Sequence, residues 1–424
     1  MNNPIGYIRN LLEGDPRTAE PGLLTEHIDR VVKYINGIIL RSRLKPAIAA
    51  AGETGSGKSA LLNSIFGEEY FEEGIEPGET KTAKSVDWDK LGISLKLVDT
   101  PGTGFSDEHD RVAKVTIQEA CLVIQVINGE RGAIQSDREL YRAIHRLDKP
   151  IVIALNKIDA IQPTREWNPP YNLLYPSSRK EQNISRQVQA TQKLFRNDSV
   201  EIVPVSATEK YNIDSLILKI ERLVPEKYRL AVARNVKDPK AKRELAMKYV
   251  LSSTVSAAAI GLSPIPVSDI IPLTILQAGL VTKIGVIYDH EIGYDSIKEV
   301  FLSAGAGVVF RTIFRQIVKV VPGAGSSVGA AMAAAGTYAI GSAAIEYFSR
   351  GMALKDIEIE TIFDQYKQRF KEKVGDRLKG VKTTEDITEA VVSGLDVDMD
   401  VEEIQAEAER LKDGIRNGQD GEEV

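Results

Sequence analysis

Residues 52–59 read Gly-Glu-Thr-Gly-Ser-Gly-Lys-Ser. A glycine, four residues and then Gly-Lys-Ser is the spacing of a phosphate-binding loop. Before it, Pro46 to Ala51 is a short apolar run that reads as a buried strand, and Ser59 to Phe66 reads as the helix that follows. The loop between them must wrap a polyanion. Gly52, Gly55 and Gly57 let the backbone turn tightly and approach phosphates with no Cβ in the way. The helix N-terminus adds its partial positive charge. Lys58 is predicted to reach the β- and γ-phosphates, and the Ser59 hydroxyl to ligate Mg²⁺. Glu53, Thr54, Ser56 and Ala60 complete the predicted cradle.

Three further stretches follow in order. Asp99-Thr100-Pro101-Gly102 closes the alternating run Ile93 to Val98. A carboxylate at such a strand end can hold Mg²⁺, usually through water, and the Gly102 N–H can meet the γ-phosphate. Asn156-Lys157-Ile158-Asp159 follows the apolar run Ile151 to Leu155. Asp159 can accept two hydrogen bonds from guanine N1–H and N2–H₂, a donor pair that adenine lacks. The stem of Lys157 can cover the base, and Asn156 is expected to tie this loop to the phosphate loop. Ser206-Ala207 follows the run Val200 to Val205, and the Ala207 N–H is expected to donate to guanine O6. A lone phosphate loop leaves ATP and GTP both open. The ordered set points to GTP and GDP.

These four motifs, across roughly residues 46–225, resemble a translation-factor-class GTPase of the Era-like group. The resemblance implies GTP hydrolysis and an α/β fold with a mainly parallel sheet. Pro77-Gly78-Glu79-Thr80-Lys81 is similar to the switch-one stretch of that group. It implies Thr80, with Thr82 second, as the threonine that caps Mg²⁺ and the γ-phosphate. Two positions depart from related patterns. Thr103 stands where Ras-type enzymes carry a water-orienting glutamine, and Gly55 where potassium-activated relatives carry asparagine. Slow hydrolysis is therefore expected, completed by a nucleotide-dependent homodimer or an activating partner. Glu53, Ser56 and Glu108 read as solvated loop residues before water-positioning ones.

The chain has 424 residues, 43% of them hydrophobic, and a net charge of −6, which calls for no nucleic-acid partner. The single cysteine, Cys121, sits in an apolar run that reads as a central strand, so no disulfide framework arises. Met-Asn-Asn-Pro begins no basic-then-apolar leader, and a reducing, cytoplasm-facing location is expected. Four scattered histidines offer no zinc spacing.

Five parts are expected: N-terminal helices over 1–45, the nucleotide domain over 46–225, a basic linker or helix over 226–248, an apolar helical domain over 249–350, and polar C-terminal helices with an acidic tail over 351–424. Leu23, Leu24, Ile28, Val31, Val32, Ile35 and Ile39 recur at helical spacing and are expected to pack on the nucleotide domain. Gln162 to Ser178, rich in Pro, Asn and Tyr, reads as a loop beside the guanine motif. Lys227, Arg229, Arg234, Lys237, Lys240, Lys242, Arg243 and Lys248 crowd ahead of uncharged stretches at 250–268, 270–282 and 320–345.

Those stretches support two readings. They can form a compact bundle in which small residues such as Gly329 and Ala333 let helices pack closely. They can also lie on or insert into an anionic membrane, with the basic run touching headgroups. Leu262-Ser263-Pro264-Ile265-Pro266-Val267-Ser268-Asp269 and Val320-Val321-Pro322-Gly323-Ala324-Gly325 resemble the YcjF-type helical domain, and that resemblance implies membrane association. The overall layout is more loosely similar to immunity-related and dynamin-like GTPases. From Glu385 onward the chain carries 14 acidic and 3 basic residues and reads as a solvated tail. A ribosome- or RNA-associated factor is the rival reading, and a nucleotide-dependent scaffold with negligible turnover the third.

Overall fold

A computed structural model describes residues 21–67, 84–88, 92–100, 107–195, 200–262, 270–290, 327–397 and 399–417. Two compact units emerge, one of residues 43–242 and one of residues 1–42 with 243–424. The first described element, α1 (Pro21–Ser42), belongs to the second unit.

The first unit holds β1 (Ala47–Glu53), α2 (Lys58–Phe66), β2 (Lys84–Trp88), β3 (Ile93–Thr100), α3 (Asp107–Glu119), β4 (Leu122–Asn128), α4 (Gln135–His145), β5 (Ile151–Asn156), α5 (Arg179–Phe195), β6 (Ile202–Pro204), α6 (Ile213–Leu223) and α7 (Glu226–Asn235). Among the described residues the sheet order is β2-β3-β1-β4-β5-β6. Every neighbouring pair is parallel except the antiparallel β2–β3 pair. The central strands are continuous apolar runs because helices cover the sheet. Ala49, Ala51, Val98 and Val123 pack with Ala113 and Ile117 of α3 and with Leu140 and Ile144 of α4. Ile127, Ile153 and Leu155 pack with Tyr141 and Phe195.

This topology positions the motifs. Parallel strands end on one side, and loops at their carboxyl ends form the crevice where α/β folds bind ligands. The phosphate loop leaves β1, Asp99 closes β3, Asn156 closes β5, and Ser206 follows β6. Cys121 stands just before β4 and is not within the strand; burial pushes its thiol up to about 11.

The second unit holds α8 (Pro239–Leu262), α9 (Ile270–Ile287), α10 (Ser327–Ser349), α11 (Asp356–Val374), α12 (Thr384–Leu395) and α13 (Val401–Asn417), together with α1. Only the start of α8 falls in the first unit. Small residues set the spacing here. A Cβ on Gly341 of α10 would lie 2.6 Å from Val250 of α8 and 3.0 Å from Leu280 of α9. A Cβ on Gly261 would lie 2.8 Å from the Gly329 carbonyl oxygen. Several buried polar groups find partners within the bundle: Ser252 and Thr254 donate to carbonyls one turn back, and the Gln277 amide donates to Thr337 at 2.8 Å.

Two expectations are corrected here, and one is narrowed. The α1 stripe packs in the helical unit: Gly279 of α9 leaves room for the Tyr34 ring, and Val31, Ile35 and Ile38 are buried. Its period identified an apolar face, and no pattern within α1 names the surface that face meets. The basic run, expected as a linker or helix whose charges could touch headgroups, is helical and partly paired within the protein. Lys240 pairs with Asp214, Arg243 with Glu346 at 3.0 Å, and the buried Lys248 with Glu403 at 2.5 Å. Up to Asn417 the acidic tail is also not free. Ile404, Ala408, Leu411 and Ile415 of α13 are buried, and Ser256 of α8 donates to the Ala408 carbonyl at 2.8 Å.

Candidate functional site

Backbone geometry builds the phosphate loop. Gly57 is the N-cap of α2 with φ 90° and ψ 28°, a left-handed conformation, and a Cβ there would strike the Asn156 amide. A Cβ on Gly52 would strike the Val126 carbonyl oxygen. Lys58, 6% exposed, turns back into the loop and donates to the Gly52 and Glu53 carbonyls at 3.0 and 2.9 Å. Thr54 and Gly55 form the exposed lip, and Ser59 and Ala60 are half-buried in the first turn of α2.

Asn156 is the keystone. Its Nδ2 donates to the Ser56 carbonyl at 3.0 Å, and its Oδ1 accepts the Ala207 N–H at 3.0 Å. One buried amide thus joins the loops after β1, β5 and β6. The Ala207 N–H, expected to donate to guanine O6, donates to Asn156 in this structure. Ser206 is fully buried, and its hydroxyl accepts the Glu209 N–H at 3.1 Å. Lys157 takes φ 62°, and its Cε lies 3.6 Å from where a Gly57 Cβ would stand, so its stem runs beside the phosphate loop.

In the loops that follow β1 and β5, two buried side-chain oxygens have no hydrogen-bond partner among the described residues: Ser56 Oγ and Asp159 Oδ1. Buried polar atoms are normally satisfied, so an orphan in a crevice marks a place for a ligand group or water. Asp99 pairs in register with Gly52, which sets it level with the start of the phosphate loop. Thr80, Thr82, Gly102 and Thr103 lie outside the described residues.

Glu53 differs from its expected role as a solvated residue. It forms an ion pair with Arg131 and accepts from Ser136 Oγ at 3.0 Å. Arg131 also reaches Asp137 at 2.7 Å. Burial pushes the Asp137 carboxyl up, and the Ile134 N–H and the Arg131 guanidinium oppose that shift. This network was not legible from sequence, because Arg131 lies 78 positions beyond its partner Glu53.

The insert after Asp159 was legible as a loop but not as a folded one. Trp167, Tyr171 and Tyr211 meet edge-to-face with centroids 5.3 to 5.6 Å apart. Ser178 and Glu181 close a capping box at the start of α5: the Glu181 N–H donates to Ser178 Oγ at 3.1 Å, and the Ser178 N–H to Glu181 Oε2 at 2.8 Å. Backbone N–H groups of Ser178, Asn172 and Ser177 hold the Glu181 carboxyl down at about 2. The Ser-x-x-Glu spacing was the available signal.

With this geometry in view, residues 47–157 match the family model described as 50S ribosome-binding GTPase. Residues 47–157 form an Era-like P-loop GTPase domain. Residues 233–373 match a domain of unknown function, DUF697. GTPase Der of Listeria welshimeri is 34% identical over 122 residues, covering 27% of this chain and 28% of that protein. GTPase Der of Geobacillus sp. is 36% identical over 121 residues, covering 27% of each. The chain thus spans little more than a quarter of the length of these relatives. Among solved structures, Era in complex with MgGDPNP and a 16S ribosomal RNA fragment is 25% identical, with 43% of this chain and 58% of that chain covered and a TM-score of 0.31. The probable GTP-binding protein engB is 22% identical, with 42% and 99% covered and a TM-score of 0.30.

Proposed function

We propose that the protein binds GTP and GDP with Mg²⁺ and hydrolyses GTP by in-line attack of water on the γ-phosphate, as a switch. The Asn156 bridge carries this reading. It brings the phosphate loop, Asp159 and the Ser206-Ala207 loop to one crevice, where the buried Asp159 oxygen awaits donors. In this reading Asp159 accepts guanine N1–H and N2–H₂, Lys157 covers the base, and Lys58 turns from two carbonyls toward the β- and γ-phosphates. Residues 52–60 form the phosphate cradle, and the Gly102 N–H meets the γ-phosphate.

Ser59, Thr80 and Asp99 would hold Mg²⁺. Ser59 in the first turn of α2 and Asp99 in register with Gly52 are hard oxygen donors that suit this ion. The ion would neutralise phosphate charge. Thr103 in place of glutamine makes slow hydrolysis the expectation, completed by a second copy or an activating partner.

Titration of the full chain with GTP, GDP and ATP tests the base assignment. Guanine nucleotides should bind far more tightly than ATP. Asp159→Asn should weaken GTP by about 2 kcal/mol or more and favour xanthine nucleotide, because the site's polar groups are then mismatched. Equal affinity of the native protein for ATP and GTP would sink the proposal.

A second reading places the switch on the cytoplasmic face of a membrane. Its support is the length of α8 and of residues Val328–Ser349, 24 and 22 residues, each with mean hydropathy 1.4. Against it, 78% and 83% of their apolar windows are buried within the protein. Co-sedimentation of the full chain with anionic vesicles, with GDP and with a non-hydrolysable GTP analogue, decides between them. The ribosome-associated alternative draws on the matched family's description. Co-sedimentation with ribosomes in the same nucleotide states tests it.

A further inference from the structure

We infer that Lys180 is a positioning residue for base recognition: its buried ammonium fixes the Asp159 loop and sets how well the site reads the guanine 2-amino group. This inference rests on the guanine reading above. Lys180 lies in the first turn of α5, just inside the Ser178–Glu181 capping box, and is fully buried. A lysine is almost never this buried without partners. Its Nζ donates to the Asp159 carbonyl at 2.7 Å and to the Ile161 carbonyl, and lies 5.4 Å from the centre of the Trp167 ring. Burial pushes the ammonium down, and the charges of Asp159 and Glu166 oppose that shift.

The carbonyls it takes belong to a short 3₁₀ turn, Ile158–Ala160, and the residue after it. Helical turns leave their last carbonyls without partners, and a cation there satisfies them and complements the turn's dipole. Asn183, one turn along α5, takes the next carbonyl, Gln162, at 2.7 Å. Asp159 therefore presents its carboxylate from a backbone held from behind by α5. The Asp159 oxygen that lacks a partner belongs to the turn whose carbonyl the ammonium holds. The insert between the base motif and α5 contributes Trp167, whose ring face covers the ammonium. The fold thus uses a residue 21 positions beyond Asp159 to hold the specificity carboxylate in place.

Inosine diphosphate differs from GDP only in lacking the 2-amino group, so the GDP/IDP affinity ratio reads the second contact of Asp159 alone. The native chain should favour GDP at least about tenfold, because a site built for a donor rejects the analogue lacking it. Lys180→Met removes charge and both hydrogen bonds, and should cut that ratio at least about threefold. Single-turnover hydrolysis at saturating GTP should change less than affinity does, since the phosphate loop is untouched. A general loosening of the fold would lower GDP and IDP affinity equally and leave the ratio unchanged. If Lys180→Met folds by circular dichroism and keeps the native ratio, the inference is overturned and the guanine reading stands. If the native chain shows no preference for GDP over ADP, the guanine reading falls and this inference with it. Should Lys180→Met fail to fold, Trp167→Leu uncovers the ammonium while sparing its carbonyl bonds. A smaller drop in the ratio supports the inference, and an unchanged ratio overturns it.

Discussion

The phosphate loop and the helices packed around α8 both use glycine and a buried lysine, and they use them in different ways. In the loop, Gly57 takes a left-handed conformation and lets backbone approach the Asn156 amide. In the helices, Gly341 and Gly261 stay helical and let neighbouring helices approach. Lys58 is held by the carbonyls of Gly52 and Glu53, which carry no formal charge. Lys248 is held by Glu403, which does. Burial alone therefore does not separate a lysine of a phosphate loop from one that ties helices together; the element it stands on does, since Lys58 opens the helix behind the glycine-rich loop and Lys248 lies within α8.

The largest expected effect tests the loop side of this contrast. Lys58→Ala should weaken GTP binding at least about a hundredfold, or ~3 kcal/mol, by removing the cation that faces the phosphates. Calorimetric titration measures it, with unfolding of the ligand-free protein as control. Native-like GTP affinity in Lys58→Ala would make Lys58 a structural lysine, and the contrast with Lys248 would collapse.

Lys248→Met should do the reverse, leaving nucleotide affinity alone and destabilising the helical unit. Breaking a buried pair costs about 3–5 kcal/mol when the remaining charge stays buried. Glu403 keeps 24% side-chain exposure, so the expected loss is nearer ~2 kcal/mol. Urea unfolding followed by circular dichroism reads it. Gly341→Ala comes next, at about 1–3 kcal/mol, because Val250 is β-branched on a helix and has little freedom to yield to a new methyl. Native stability in Gly341→Ala would show that α8 and α10 separate easily, as a membrane-inserting pair must.

Why one region was legible in the sequence and the other only in part follows from the same contrast. Binding a polyanion restricts residue type at fixed spacing, so Gly52 to Ser59 announce their loop and the apolar runs around them announce a parallel sheet. The Asn156 tie to the phosphate loop followed from the motif as well. Pairings across long separations did not. Glu53 with Arg131, Lys180 with Asp159, and Ser256 with Ala408 are tertiary contacts with no local pattern. In the helical unit, α8 from Val250 onward and α10 up to Ile345 carry no charge on any face, as suits a helix surrounded by protein or by lipid. Composition cannot tell those two surroundings apart. The basic run looked available because its acidic partners Asp214, Glu346 and Glu403 lie 26, 103 and 155 positions away in the numbering.

The smallest expected effect bears on that run. Lys240 is 72% exposed and pairs with Asp214, which is 12% exposed. An exposed ion pair contributes about 0.2–1 kcal/mol, so Lys240→Ala should move stability by less than ~0.5 kcal/mol. A lysine available to an anionic surface would contribute about 1 kcal/mol to vesicle binding, which is roughly fivefold in affinity. If the Asp214 carboxylate already engages Lys240, its loss should change co-sedimentation with anionic vesicles by much less than that, at low salt where screening is weakest. The comparison is sharpest with Asp214→Asn, which removes that carboxylate and keeps the lysine. That variant should bind vesicles more strongly than the native chain if the basic run faces headgroups at all. A fivefold loss in Lys240→Ala with stability unchanged would show that the charge is available to the surface, and that the intramolecular pair does not hold it.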